Sequence, residues 1–82
     1  MLSSGIVEID VHGMSQYQTQ TMLNAALKKA SQGTYMIRVI HGYHNGTVLR
    51  QMIRRVYRTH PRVLRIEVSL NAGITELILR QL

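Results

Sequence analysis

The chain has 82 residues, ten Lys+Arg against four Asp+Glu, and a formal net charge of +6. That length holds one domain. The absence of cysteine excludes disulfides, Cys-zinc sites, iron–sulfur clusters and a thiol nucleophile.

Met1 to Gly5 reads as a loose end, without the basic and then apolar pattern of a leader. Residues 6–82 read as a single domain. The first element is a strand, Ile6 to Val11, in which Val7, Ile9 and Val11 alternate with Glu8, Asp10 and His12. Gly13 ends it. Ser15 opens a helix, because Ser15-Gln16-Tyr17-Gln18 has capping-box spacing. Met22, Leu23, Ala26, Leu27 and Ala30 continue at helical spacing, and Gly33 is the stop. Tyr35 to Ile40 is a second strand. The loop His41 to Gly46 contains two glycines, and a second helix follows from about Thr47 to Thr59, closed by Pro61. Val63 to Leu70 is a third strand, Asn71-Ala72-Gly73 a turn, and Ile74 to Leu79 the last strand. The order βαβαββ predicts an α/β two-layer sandwich. Right-handed crossovers put both helices on one face of a mixed four-stranded sheet and leave the other face open.

This frame divides the charge. The open sheet face receives Glu8, Asp10, Arg38, Arg65, Glu67, Glu76 and Arg80, three positive and four negative residues. These satisfy one another across strands. The helices and their exits carry seven positive residues, Lys28, Lys29, Arg50, Arg54, Arg55, Arg58 and Arg62. On helix two, Val48, Leu49, Met52, Ile53, Val56 and Tyr57 fill half the wheel and Arg50, Gln51, Arg54, Arg55 and Arg58 the other half. Solvated helix faces interleave signs. Four arginines with no acid on the same helix favour phosphate contact over a merely solubilising face.

Three segments are candidates for chemistry. Asp10 and His12 stand two apart at the C-terminal end of a strand, where α/β folds place their sites. His41 ends strand two at the equivalent level, and the three are expected to converge if the strands are neighbours. The His41–Gly46 loop then feeds a helix N-terminus, a geometry that suits an anion. Each also has a framework reading: Asp10 capping the turn at Gly13, His12 bonding a loop carbonyl. Tyr43 is either a base-stacking ring or a plain exposed tyrosine.

Ile9-Asp10-Val11-His12-Gly13 resembles the L-D-x-H-G motif of Smr domains, the small MutS-related module. His41-Gly42-Tyr43-His44-Asn45-Gly46, followed by Leu49-Arg50, is similar to their glycine-rich second motif, with His44 in place of the middle glycine. Asn71-Ala72-Gly73-Ile74-Thr75 resembles the closing G-x-T segment. The resemblance implies a fold like the C-terminal domain of bacterial translation initiation factor three, and a partner that is nucleic acid, DNA or RNA, with the ribosome as one setting. It also implies an endonuclease that nicks DNA or cleaves RNA, since several members of that family do so.

The resulting expectation is a cytoplasmic, monomeric, nucleic-acid-binding domain with no membrane partner. Asp10, His12 and His41 are the candidate catalytic residues. Gly42, Tyr43, His44, Asn45, Gly46, Arg50, Arg54, Arg55, Arg58, Lys28 and Lys29 are the candidate binding residues. Chemistry with a divalent ion such as Mg²⁺ or Mn²⁺ and metal-free chemistry both stay open, and no metal ligands are assigned. The alternatives are a binding module without catalysis and a protein–protein adaptor with a basic face.

Overall fold

The computed structural model describes residues 5–43 and 46–81. Strand β1 spans Ile6–Asp10 and helix α1 Gln16–Lys29. Strand β2 spans Met36–Ile40 and helix α2 Gly46–Tyr57. Strands β3 and β4 span Arg65–Val68 and Ile74–Ile78. Helix α1 starts where the spacing predicts, because Ser15 and Gln18 satisfy each other's end of the chain. Ser15 Oγ accepts the Gln18 N–H at 3.1 Å, and Gln18 Oε1 accepts the Ser15 N–H at 3.0 Å.

The sheet order is β1-β2-β4-β3. Strands β1 and β2 are parallel, and β4 is antiparallel to both β2 and β3. The α2 crossover therefore skips a position, which β4 fills on its return from β3. The sequence leaves this order open, because βαβαββ is compatible with more than one placement of the last hairpin.

One core lies between the sheet and both helices. It joins Val11, Ile37, Val39 and Leu77 to Leu23 and Leu27 of α1 and to Leu49, Met52, Ile53 and Tyr57 of α2. Tyr57 is fully buried and fixes the two helices against each other. Its hydroxyl donates to Asn24 Oδ1 at 2.8 Å and lies 3.3 Å from the Gln20 carbonyl oxygen. Arg62 donates to the Ala30 carbonyl at 3.0 Å, closing the C-terminal end of α1.

The opposite sheet face carries the expected charge pairs. Arg38 bridges Glu8 at 3.1 Å and Glu76 at 3.3 Å across strands, whereas Arg65 meets Glu67 at 2.8 Å within β3 and not across to a neighbour. Strand β3 departs most from the expectation of Val63 to Leu70. It is four residues long, and only Ile66 of its alternating apolar residues packs on the core. Leu64 is 54% and Val68 67% exposed. An edge strand has a neighbour on one side only, and the helical layer stops short of its ends.

Candidate nucleic-acid interface

The register of β1 on β2 decides which way each candidate histidine points. Asp10 pairs with Ile40, and the Val11 N–H donates to the Ile40 carbonyl at 2.9 Å. Val11 and His41 follow this pair and turn to the helical side, whereas Asp10 and His12 belong to the other. The structure thus separates the three residues that spacing alone would gather. His41 is 2% exposed, and its Nε2 lies 2.9 Å from the hydroxyl of the buried Thr75. Its Nδ1 lies 3.2 Å from the Gly42 carbonyl oxygen. A carbonyl only accepts, so Nδ1 carries the proton and Thr75 donates to Nε2. Burial is the main force lowering the His41 pKa, and the nearby Arg50 and Arg54 charges add to it.

This arrangement makes fold stability depend on pH. A histidine whose folded pKa lies below its unfolded value is charged first in the unfolded chain. Its contribution is complete above about pH 6.5 and is lost as pH falls through the folded pKa. Thermal melting should therefore fall between pH 7.5 and pH 5.5. In His41→Asn, melting should be lower at pH 7.5 and flatter across the same window. Parallel melts of the two proteins read this directly.

The second and third motifs meet at the backbone. The N–H groups of His41 and Gly42 both donate to the Gly73 carbonyl, at 2.9 and 3.0 Å. A Cβ on Gly73 would stand 3.3 Å from the Gly42 Cα, and one on Gly42 would stand 3.3 Å from the His12 Cβ. Asn71 clamps this junction, with Oδ1 accepting the Gly73 N–H at 2.9 Å and the Tyr43 hydroxyl at 2.7 Å. The Tyr43 ring stays exposed. Gly42 adopts φ +83°, a conformation side chains resist. Gly42→Ala should cost about 1–2 kcal/mol of stability and displace His12. Denaturant unfolding and the His12 ring resonances in NMR check the two effects. Asn71, Gly73 and Thr75 are the site members that reading for chemistry passes over. Their signal in the sequence is the third motif, whose residues look like a plain turn.

Asp10 and His12 form a closed pair facing solvent. Asp10 Oδ1 accepts the His12 backbone N–H at 3.0 Å and contacts His12 Nδ1 at 2.6 Å. The two side chains are 52% and 70% exposed. The His12 hydrogen bond is the main cause of a lowered Asp10 pKa, so the carboxylate is ionised at neutral pH. An ionised carboxylate requires a donor, so Nδ1 carries the proton. In the neutral imidazole this leaves the Nε2 lone pair toward solvent.

Helix α2 begins at Gly46, directly after the loop. His44 and Asn45 lie outside the described residues. Arg50 and Arg54 are partly buried beside His41 and repel its charged form. Arg54 Nε is buried without a hydrogen-bond partner. Arg55 and Arg58 are exposed further along the chain. Lys28 and Lys29 occupy the last turn of α1, at the end of the sheet remote from His12. They are not gathered with the loop. All four acids of the chain (Glu8, Asp10, Glu67 and Glu76) are engaged by Arg38, His12 or Arg65. Among the described residues no arginine of α2 has an acidic partner. No group of three or more His, Cys, Asp or Glu suited to a metal ion occurs among them either. The one carboxylate at the site already accepts two N–H groups from His12. Among the described residues this donor set does not fit a protein-held metal ion.

The family model for the Smr domain matches residues 9–73. That is most of the chain and includes Asp10, His12, the second motif and Gly73. The chain belongs to the Smr domain family. Its fold superposes on the Smr domain of MutS2 from Thermus thermophilus with a TM-score of 0.81 and 29% identity. The match covers 92% of this chain and 99% of that one. No curated protein matches the sequence. For this Smr domain the convergence of the three motifs on Gly42 explains how short segments far apart in sequence make one surface. No described helix is long and apolar enough to cross a membrane.

Proposed function

We propose that this Smr domain binds nucleic acid along α2 and the loop before it, and that Asp10 and His12 act on the phosphodiester backbone there. The observation that carries the binding is the separation of charge. Every acid is consumed outside the helices, while α2 presents Arg50, Arg54 and Arg55, and Arg58 just after it, without counter-charge. The buried, unpartnered Arg54 Nε is a donor that a phosphate oxygen would satisfy. The exposed Tyr43 ring, held by its hydroxyl to Asn71, offers a face for a base.

Asp10 holds the proton on Nδ1 of His12 and orients the ring, so that Nε2 takes a proton from an attacking water, or from the 2′-hydroxyl of RNA, as that oxygen bonds to phosphorus. The P–O bond to the leaving oxygen breaks, and that oxygen takes its proton from solvent. The arginines of α2 stabilise the charge that gathers on the phosphate oxygens. His41, closed off against Thr75, serves as a positioning residue. It holds the His41–Gly42 backbone that backs His12.

A second reading, a binder without catalysis, is favoured by one observation. With His41 turned inward, the described residues present one base and no matching acid beside it. Fluorescence anisotropy with labelled single- and double-stranded DNA and RNA, and cleavage of the same substrates with and without Mg²⁺ or Mn²⁺, separates the readings. Binding that weakens with salt together with cleavage supports the enzyme. Binding alone leaves the binder. No binding to any of the four overturns both, and points to an adaptor whose basic face meets an acidic protein.

A further inference from the structure

We infer that the free edge of β3 is a docking site for a second copy of this chain, pairing antiparallel about Ile66. Strand β3 ends the sheet, with β4 on one side and no strand on the other among the described residues. About its Ile66, β3 carries Arg65 on one side and Glu67 on the other, so its charges are self-complementary. An antiparallel pair centred on Ile66 sets Arg65 opposite Glu67 of the second copy, and Glu67 opposite its Arg65. The same match thus occurs twice, as a two-fold interface requires. Residues opposite each other share a face, so both Arg–Glu matches lie on the open sheet side and the two Ile66 side chains meet on the helical side.

The exposed side chains agree with this geometry. Leu64, Val68, Leu70 and Val48 are the large apolar residues left exposed on β3, just beyond it and on α2. Val48 is nine residues from Tyr57, about 180° round the helix, and so on the flank turned away from α1 and toward β3. Arg65 and Glu67 are half-exposed, and they now bond each other at 2.8 Å. Exchanging that contact for its equivalent in a second copy leaves no charge unpaired.

The other edge strand shows why β3 is chosen. A pair of β1 strands centred on Glu8 would oppose two carboxylates. Centred on Ile9 it would oppose Glu8 to Asp10, and centred on Val7 it would oppose Glu8 to Ile6. Edge strands are guarded by charge that repels a neighbour, and β1 is so guarded. The charges of β3 instead attract a copy of themselves. The eight-stranded sheet that results keeps both α2 helices on one side. This inference stands on the β3 edge alone and does not depend on the nucleic-acid reading.

Sedimentation velocity of nucleic-acid-free protein tests it. The interface is small, so a dimer with a dissociation constant on the order of 100 μM is expected. Arg65→Glu and Glu67→Arg should each weaken it about tenfold, because both place like charges opposite each other. An equimolar mixture of the two variants should restore dimerisation, since each then supplies the charge the other lacks. Val68→Lys should also weaken the dimer, and circular dichroism checks that every variant is folded. A monomer at all concentrations to about 1 mM, a dimer indifferent to the single variants, or a mixture no better than its components would each overturn the proposal.

Discussion

His12→Ala is expected to lower phosphodiester cleavage by about 10²–10⁴-fold, with affinity for uncleaved substrate within about threefold of the parent. The asymmetry follows from the geometry. Among the described residues His12 Nε2 is the one lone pair that a neighbouring carboxylate both orients and leaves in solvent, whereas the proposed phosphate contacts are on α2. Asp10→Asn should have a smaller but clear effect. The amide keeps an oxygen at the Oδ1 position but loses the charge, so it no longer stabilises the imidazolium formed when His12 takes a proton. Plots of rate against pH add a readout that mere damage to the fold would not move. A group that takes a proton must be unprotonated to act, so the rise of rate with pH on the acidic limb should be lost in His12→Ala. A rate unchanged in His12→Ala would remove the pair from the chemistry, and the domain would stand as a binder.

Replacing Arg50, Arg54, Arg55 and Arg58 together by Gln should reduce the slope of log K against log salt by about 3 to 4 on duplex DNA, with affinity falling roughly a hundredfold or more. Four phosphate contacts release about that many counterions. The comparison that gives the result meaning is Lys28→Gln with Lys29→Gln. These lysines lie in the last turn of α1, far from the loop, and their loss should leave the slope within about one unit. Equal effects from the two sets would describe diffuse attraction to a basic protein. A large effect from the lysines alone would move the interface to the other end of the helices. The arginine variant should also hold its fold, since none of the four makes an ion pair among the described residues.

Much of this is legible in the sequence. The alternation of β1, the Ser15 capping box and the two-sided wheel of α2 each rest on local periodicity, which needs no knowledge of neighbours. The pairing of Arg38 and Arg65 with the acids of the open face followed from the same periodicity, once both helices were placed on one side. The short β3 and its exposed Leu64 and Val68 were not legible, because a strand's burial depends on what the rest of the chain lays over it.

The histidines show the boundary most sharply. Asp10 and His12 were joined by the sequence itself, since two residues on a strand is one pleat repeat and returns the same face. The separation of His41 from that pair required the register. Asp10 opposite Ile40 puts His41 beside Val11, inside, against Thr75, and a shift of one residue would have put it outside with His12. Composition and spacing alone determined the elements, the two faces and the basic helix. Tertiary structure decided which backbone positions touch, because Gly42 meets His12 and Gly73, which stand 30 and 31 residues from it in the chain. The net charge of +6 was likewise a property of the chain alone. That α2 carries arginines without an acidic partner is a property of the fold, which spends every carboxylate on the sheet.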